Sequence, residues 1–106
     1  MAADTTWAAL ADPHRRAVLD LLRDRAHAVG ELVDRLGLTQ PQASKHLRVL
    51  RDAGLVQVER RAQRRLYSVE LGPIADVDAW LEPYRHLWND RLDQLGQHLD
   101  EQENSS

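Results

Sequence analysis

Cysteine is absent from all 106 residues. Without thiols there is no disulfide framework, so a domain this short must rest on its apolar core and on a partner subunit. No run approaches the roughly 18 consecutive apolar residues of a membrane-spanning helix, while a hydrophobic content of 42% suffices for one small core. The opening Met1-Ala2-Ala3-Asp4-Thr5-Thr6 lacks the basic-then-apolar order of a secretion signal, and a cytoplasmic location is expected. Catalytic constellations are missing too. There is no cysteine nucleophile and no glycine-rich phosphate loop, and Ser44, Ser68, Ser105 and Ser106 have no local histidine and acid beside them. Asp and Glu are scattered at helix-surface spacing, so an enzyme is not expected.

What is present is concentrated between Leu38 and Val56. Thr39 caps a helix start, Pro41 tolerates the first turn where its missing N–H would have no partner, and Gly54 supplies the stop. Ala43, Leu47, Leu50 and Gly54 are spaced 4, 3 and 4 apart, which places them on one face. Gln42, Lys45 and Arg48 then fall on the opposite side, with Ser44 and Thr39 near the N-terminal end that a recognition helix points into the major groove. His46 lies toward the packed side, next to Leu47, and reads as a core histidine rather than a contact.

Downstream, Leu55–Arg60 and Arg65–Val69 are β-branched or aromatic-rich runs joined through Arg61-Ala62-Gln63-Arg64, a hairpin with an arginine tip. Ala62-Gln63 offers no residue that takes positive φ cheaply, so a longer or less regular turn is expected. The formal charge of −3 is segregated: residues 1–71 hold 12 basic and 9 acidic side chains, and residues 72–106 hold 2 and 8. Seven cations (Lys45, Arg48, Arg51, Arg60, Arg61, Arg64, Arg65) against Asp52 and Glu59 form the local positive footprint that phosphate binding needs.

Helix, short turn, helix and basic hairpin is the winged helix-turn-helix order. With Leu10-Ala11-Asp12-Pro13-His14-Arg15-Arg16-Ala17-Val18-Leu19, Val29–Leu38, Ser44-Lys45-His46-Leu47 and Ala53-Gly54-Leu55-Val56 in sequence, nearly the whole chain resembles the ArsR-type family of bacterial transcriptional repressors. A mainly α fold with one small hairpin, in the order α-α-α-α-β-β-α, is expected. Residues 1–100 make one domain, with 12–69 as DNA-binding core and wing, 73–100 as dimerisation helix, and 101–106 as a disordered tail.

Ile74, Val77, Leu81, Tyr84, Trp88, Leu92, Leu95 and Leu99 recur at close to heptad spacing, a stripe that wants a helical partner. Pro83 lies inside it, and a bend or restart is expected near Glu82 and Pro83. The resemblance implies a two-fold interface of first and last helices, adding Trp7 and Leu10. It also implies a homodimer on double-stranded promoter DNA, at an inverted-repeat operator that it represses by occupying. Gln40, Gln42, Ser44 and Lys45 would approach base edges, Thr39 and Arg48 phosphate or base, and Arg60, Arg61, Arg64 and Arg65 the flanking backbone or minor groove.

The family's metal-sensing sites are not matched. Val29–Asp34 has no thiolate, Asp76-x-Asp78 lacks a histidine, Tyr84-x-His86 lacks an aspartate, and only His98-x-x-Glu101 keeps an i, i+3 pair. A metal-independent subgroup is expected, with no metal, no cofactor and an inducing signal that is not legible. Three other functions compete: a winged-helix adaptor that docks proteins, a repressor with His, Asp and Glu ligands on the last helix, and nonspecific DNA packaging. The adaptor has no use for a groove-reading face beside an arginine wing, and packaging would want a stronger positive charge.

Overall fold

The computed structural model describes residues 2–104, with side chains from Asp4 to Gln97. Its elements are α1 (Ala2–Leu10), α2 (Pro13–Leu22), α3 (Val29–Leu36), α4 (Gln40–Asp52), β1 (Val56–Arg61), β2 (Arg64–Val69) and α5 (Gly72–Asn104). The chain divides into two compact units, Met1–Asp76 and Val77–Ser106.

Local chemistry sets each boundary in the first unit. Asp12 caps α2, its Oδ1 accepting from His14 N at 2.7 Å and Arg15 N at 3.3 Å, with Pro13 opening the helix. The carbonyls left over at the end of α1 are met from α2: Arg15 donates to Ala9 and Ala8, and Arg16 to Leu10. Helix α3 stops at Gly37, whose φ of 65° is the left-handed conformation that only glycine adopts without a Cβ penalty. Residues 37–39 alone then separate α3 from α4. Helix α4 ends before Gly54, at φ 75°.

Val18, Leu19 and Leu22 of α2, Leu32 of α3, Leu47 and Leu50 of α4, and Leu55 and Val56 leading into the hairpin form one buried cluster with Ala9. Strands β1 and β2 pair antiparallel, Val56 opposite Val69 through Arg61 opposite Arg64. His27 adds a single bridge to the sheet, exchanging both backbone hydrogen bonds with Tyr67.

Three expectations are corrected. The wing turn is tight, not long: only Ala62 and Gln63 lie between the strands, and Ala62 takes φ 54°. The strand register closes the loop at two residues, so the non-glycine residue accepts the left-handed backbone at a cost of about 1–2 kcal/mol. Helix α5 neither stops nor restarts at Pro83. Proline there removes one backbone hydrogen bond, on a helix exposed enough for water to solvate the carbonyl left behind, and Arg85 reaches back over it to the carbonyl and carboxylate of Asp78. The helix also continues to Asn104, so residues 101–104 are helical where a disordered tail was expected, and 105–106 lie outside the described residues.

Candidate nucleic-acid interface

The start of α4 is built from a reciprocal pair. Thr39 Oγ1 accepts from Gln42 N at 3.2 Å, and Gln42 Oε1 accepts from Thr39 N at 2.9 Å. Ala43, Leu47 and Leu50 bury one face of the helix, which leaves Gln40, Gln42, Ser44, Lys45 and Arg48 exposed on the rest, with Thr39 exposed at the cap. The face expected to read DNA is therefore presented, but Gln42 is partly committed: one lone pair of its carbonyl oxygen serves the cap, and its –NH₂ edge is left to meet a base.

Ser44, Leu47, Arg48, Arg51 and Asp52 of α4 line a shallow groove with Tyr67 of the wing. Arg51, counted in the sequence only as a local charge, belongs to that surface. The four wing arginines sort by register. Residues directly opposite on an antiparallel pair share a face, so Arg60 and Arg65 project together from one side and Arg61 and Arg64 from the other. All four are exposed. Arg61 sits 3.4 Å from Glu59 Oε1, and Arg64 Nη2 donates to Glu31 Oε1 at 3.2 Å, whereas among the described residues Arg60 and Arg65 have no carboxylate partner.

Glu31 is the residue that sequence reasoning missed. Its carboxylate accepts from Ala28 N (3.2 Å), Arg25 Nη2 (2.9 Å) and Arg64, and lies 3.2 Å from the buried His27 Nδ1. The Ala28 N–H and then Arg25 hold its pKa down to about 2 against the opposing effect of burial, with His27 contributing less than either. This hub ties α3 to the wing. The i, i+4 spacing of His27 and Glu31 was visible in the chain; the tie to Arg64, 33 residues away, was not.

Of the residues expected at a two-fold interface, Leu10 and Ile74 pack against the core of their own unit, Trp7 is 41% exposed, and Val77 is half-buried. Leu81, Tyr84, Trp88, Leu92 and Leu95 are exposed along α5, as are Trp80 and Leu87, with the Trp80 and Tyr84 rings 4.9 Å apart. Leu99 lies outside the described side chains.

A helix-turn-helix domain model matches residues 10–59. Over 97 residues the chain is 35% identical to the HTH-type transcriptional regulator Rv2034 of Mycobacterium tuberculosis, covering 92% of this chain and 88% of that one. It is 28% identical over 78 residues to the transcriptional repressor SdpR of Bacillus subtilis, covering 74% and 87% respectively. The crystal structure of an ArsR family transcriptional regulator, RHA00566, matches with a TM-score of 0.71 at 33% identity, over 83% of this chain and 91% of that one. The chain belongs to the ArsR family. It is a DNA-binding transcriptional regulator with a winged helix-turn-helix fold, from a family of regulators and not of enzymes. No helix of this ArsR-family regulator is long and apolar enough to cross a membrane among the described residues. Of the metal-ligand positions considered from the sequence, His86 instead lies 3.4 Å from the carboxylate of Glu82 on α5, and the side chains of His98 and Glu101 lie outside those described.

Proposed function

We propose that this ArsR-family regulator is a homodimeric repressor that occupies a short inverted repeat in a promoter, acting in the cytoplasm on the DNA it reads. The observation that carries the reading is the exposed polar face of α4 beside a wing whose Arg60 and Arg65 point together and, among the described residues, have no carboxylate to neutralise them. Gln40, Ser44, Lys45 and the free edge of Gln42 approach base edges. Thr39 and Arg48 take phosphate or base, and Arg60 and Arg65 hold the flanking backbone. Arg61 and Arg64 stand on the other face of the wing, where Arg64 braces it against Glu31 and so sets where the first pair reaches.

The dimer follows from α5. Apolar and aromatic side chains from Trp80 to Leu95 make a long exposed stripe, more than a small monomer leaves open without use. A two-fold dimer suits half-sites one turn of duplex DNA apart, about 34 Å. Selection of binding sites from random duplexes with the full chain tests the whole reading. An inverted repeat with half-sites about one helical turn apart should be enriched. Recovery of random sequence would leave only nonspecific binding and overturn it.

A further inference from the structure

Helices α2 and α4 meet at a group of side chains that neither the DNA-reading face nor the wing uses. Asp12 at the cap of α2, His14 in its first turn and His46 in the middle of α4 each bring a possible ligand atom to one place, all three within 4.8 Å of one another. The two imidazoles stack, centroids 5.8 Å apart and planes 26° from parallel. A second observation points the same way. His46 Nδ1 is buried and has no hydrogen-bond partner among the described residues, a state that protein interiors rarely leave without a water or an ion to explain it.

We propose that Asp12, His14 and His46 bind one divalent transition-metal ion of the zinc class, with water completing the coordination. Two neutral imidazole nitrogens and a carboxylate oxygen are a borderline donor set suited to zinc rather than to calcium or magnesium, which take oxygen. Zinc bonds of about 2.0–2.1 Å in a tetrahedron separate ligand atoms by about 3.3 Å, so the group closes onto an ion by rotation of side chains, His14 being exposed and able to move. Asp12 Oδ1 accepts from two backbone N–H groups and lies 3.8 Å from His14 Nδ1, while Oδ2 lies 3.8 Å from Arg15 Nη1, so a bound ion shares the carboxylate with the cap. The site differs from both metal-ligand patterns considered from the sequence, because its members come from separate helices. It also does not depend on the DNA reading: it ties the cap of α2 to α4 whatever α4 contacts.

Zinc titration of the full chain against a chromophoric chelator tests it, with His14→Ala and His86→Ala as paired variants and circular dichroism to confirm their folds. His14 is exposed, so its loss leaves the core intact. One zinc per chain should bind, and His14→Ala should weaken it by more than about 100-fold, since even an outer-shell partner of a ligand is worth 10–100-fold. His86→Ala should bind as the parent does. His46→Gln, which keeps a polar side chain of similar reach, should repeat the loss. Parent binding no tighter than about 0.1 mM, unchanged binding in His14→Ala, or a loss in His86→Ala would each overturn the assignment.

Discussion

Gln42 serves two groups with one amide. Its oxygen completes the cap of α4, and its –NH₂ is left on the exposed face proposed to read DNA. Gln42→Ala should therefore lower stability by about 1 kcal/mol through the cap alone, as well as weakening operator binding. Gln42→Glu separates the two roles: the carboxylate still accepts from Thr39 N and suits the helix N-terminus, so urea stability should hold, while a negative charge beside phosphate should cut DNA affinity. If Gln42→Glu binds operator as the parent does, the side chain reads nothing. Glu31 makes a different demand. Its pKa, held near 2 by the Ala28 N–H, Arg25 and His27, lies below the ordinary 4.5, so the unfolded chain takes up this proton first as pH falls. Its contribution is complete above about pH 4.5 and disappears as pH drops toward 2. Urea midpoints of the parent should decline across that window more steeply than those of Glu31→Gln. Parallel curves would mean that the carboxylate is not held as described.

The wing shows how a register can overrule a residue preference. Pairing of Arg61 with Arg64 leaves Ala62 and Gln63 to turn the chain, and Ala62 goes to φ 54° because no glycine is present to take that conformation freely. Ala62→Gly should raise stability by about 0.5–1 kcal/mol in urea denaturation, the relieved strain being partly offset by the entropy of a more flexible unfolded chain. The same register divides the arginines. Arg60→Ala with Arg65→Ala should flatten the dependence of log K on log salt by about 0.9 for each phosphate left without its arginine, on operator and random DNA alike. Arg64→Ala should change that slope less and act instead by loosening the wing from Glu31; equal slope changes would return Arg64 to the phosphate-binding set. Elements bounded by a local device were legible in the chain. The cap at Thr39, the stop at Gly54 and the apolar spacing of α4 each act within a few residues, and the structure keeps them. Pro83 misled because a proline breaks a helix only where the freed carbonyl finds no substitute, and on this exposed stretch the carbonyl of Ala79 is open to solvent. Glu31 with Arg64, and His14 with His46, were illegible for another reason: neither pair shares a helix face or a strand register, and only the packing of separate elements unites them.

At the scale of the whole molecule, what needs an account is a 33-residue helix whose apolar side chains face solvent in a single chain. Leu92 is 46% exposed and Leu95 54%, so neither supports the core of its own chain, and the unit Met1–Asp76 carries its buried cluster without them. Carboxylates at these two positions should therefore cost an isolated chain little. In a dimer that covers the stripe, the same carboxylates would be desolvated without partners, at a cost of several kcal/mol. Leu92→Glu with Leu95→Glu should thus keep the helical signal of the first unit while the protein sediments as a monomer, its melting lowered only by the loss of the partner. Operator binding should fall with it, because two half-site contacts act as one tight event only when a linkage holds them at the right spacing. The variant should bind an intact inverted repeat no better than a single half-site, whereas the parent should bind the repeat far more tightly. A charged variant that still sediments as a dimer and keeps full operator affinity would show that the stripe is covered by something other than a second copy of this chain.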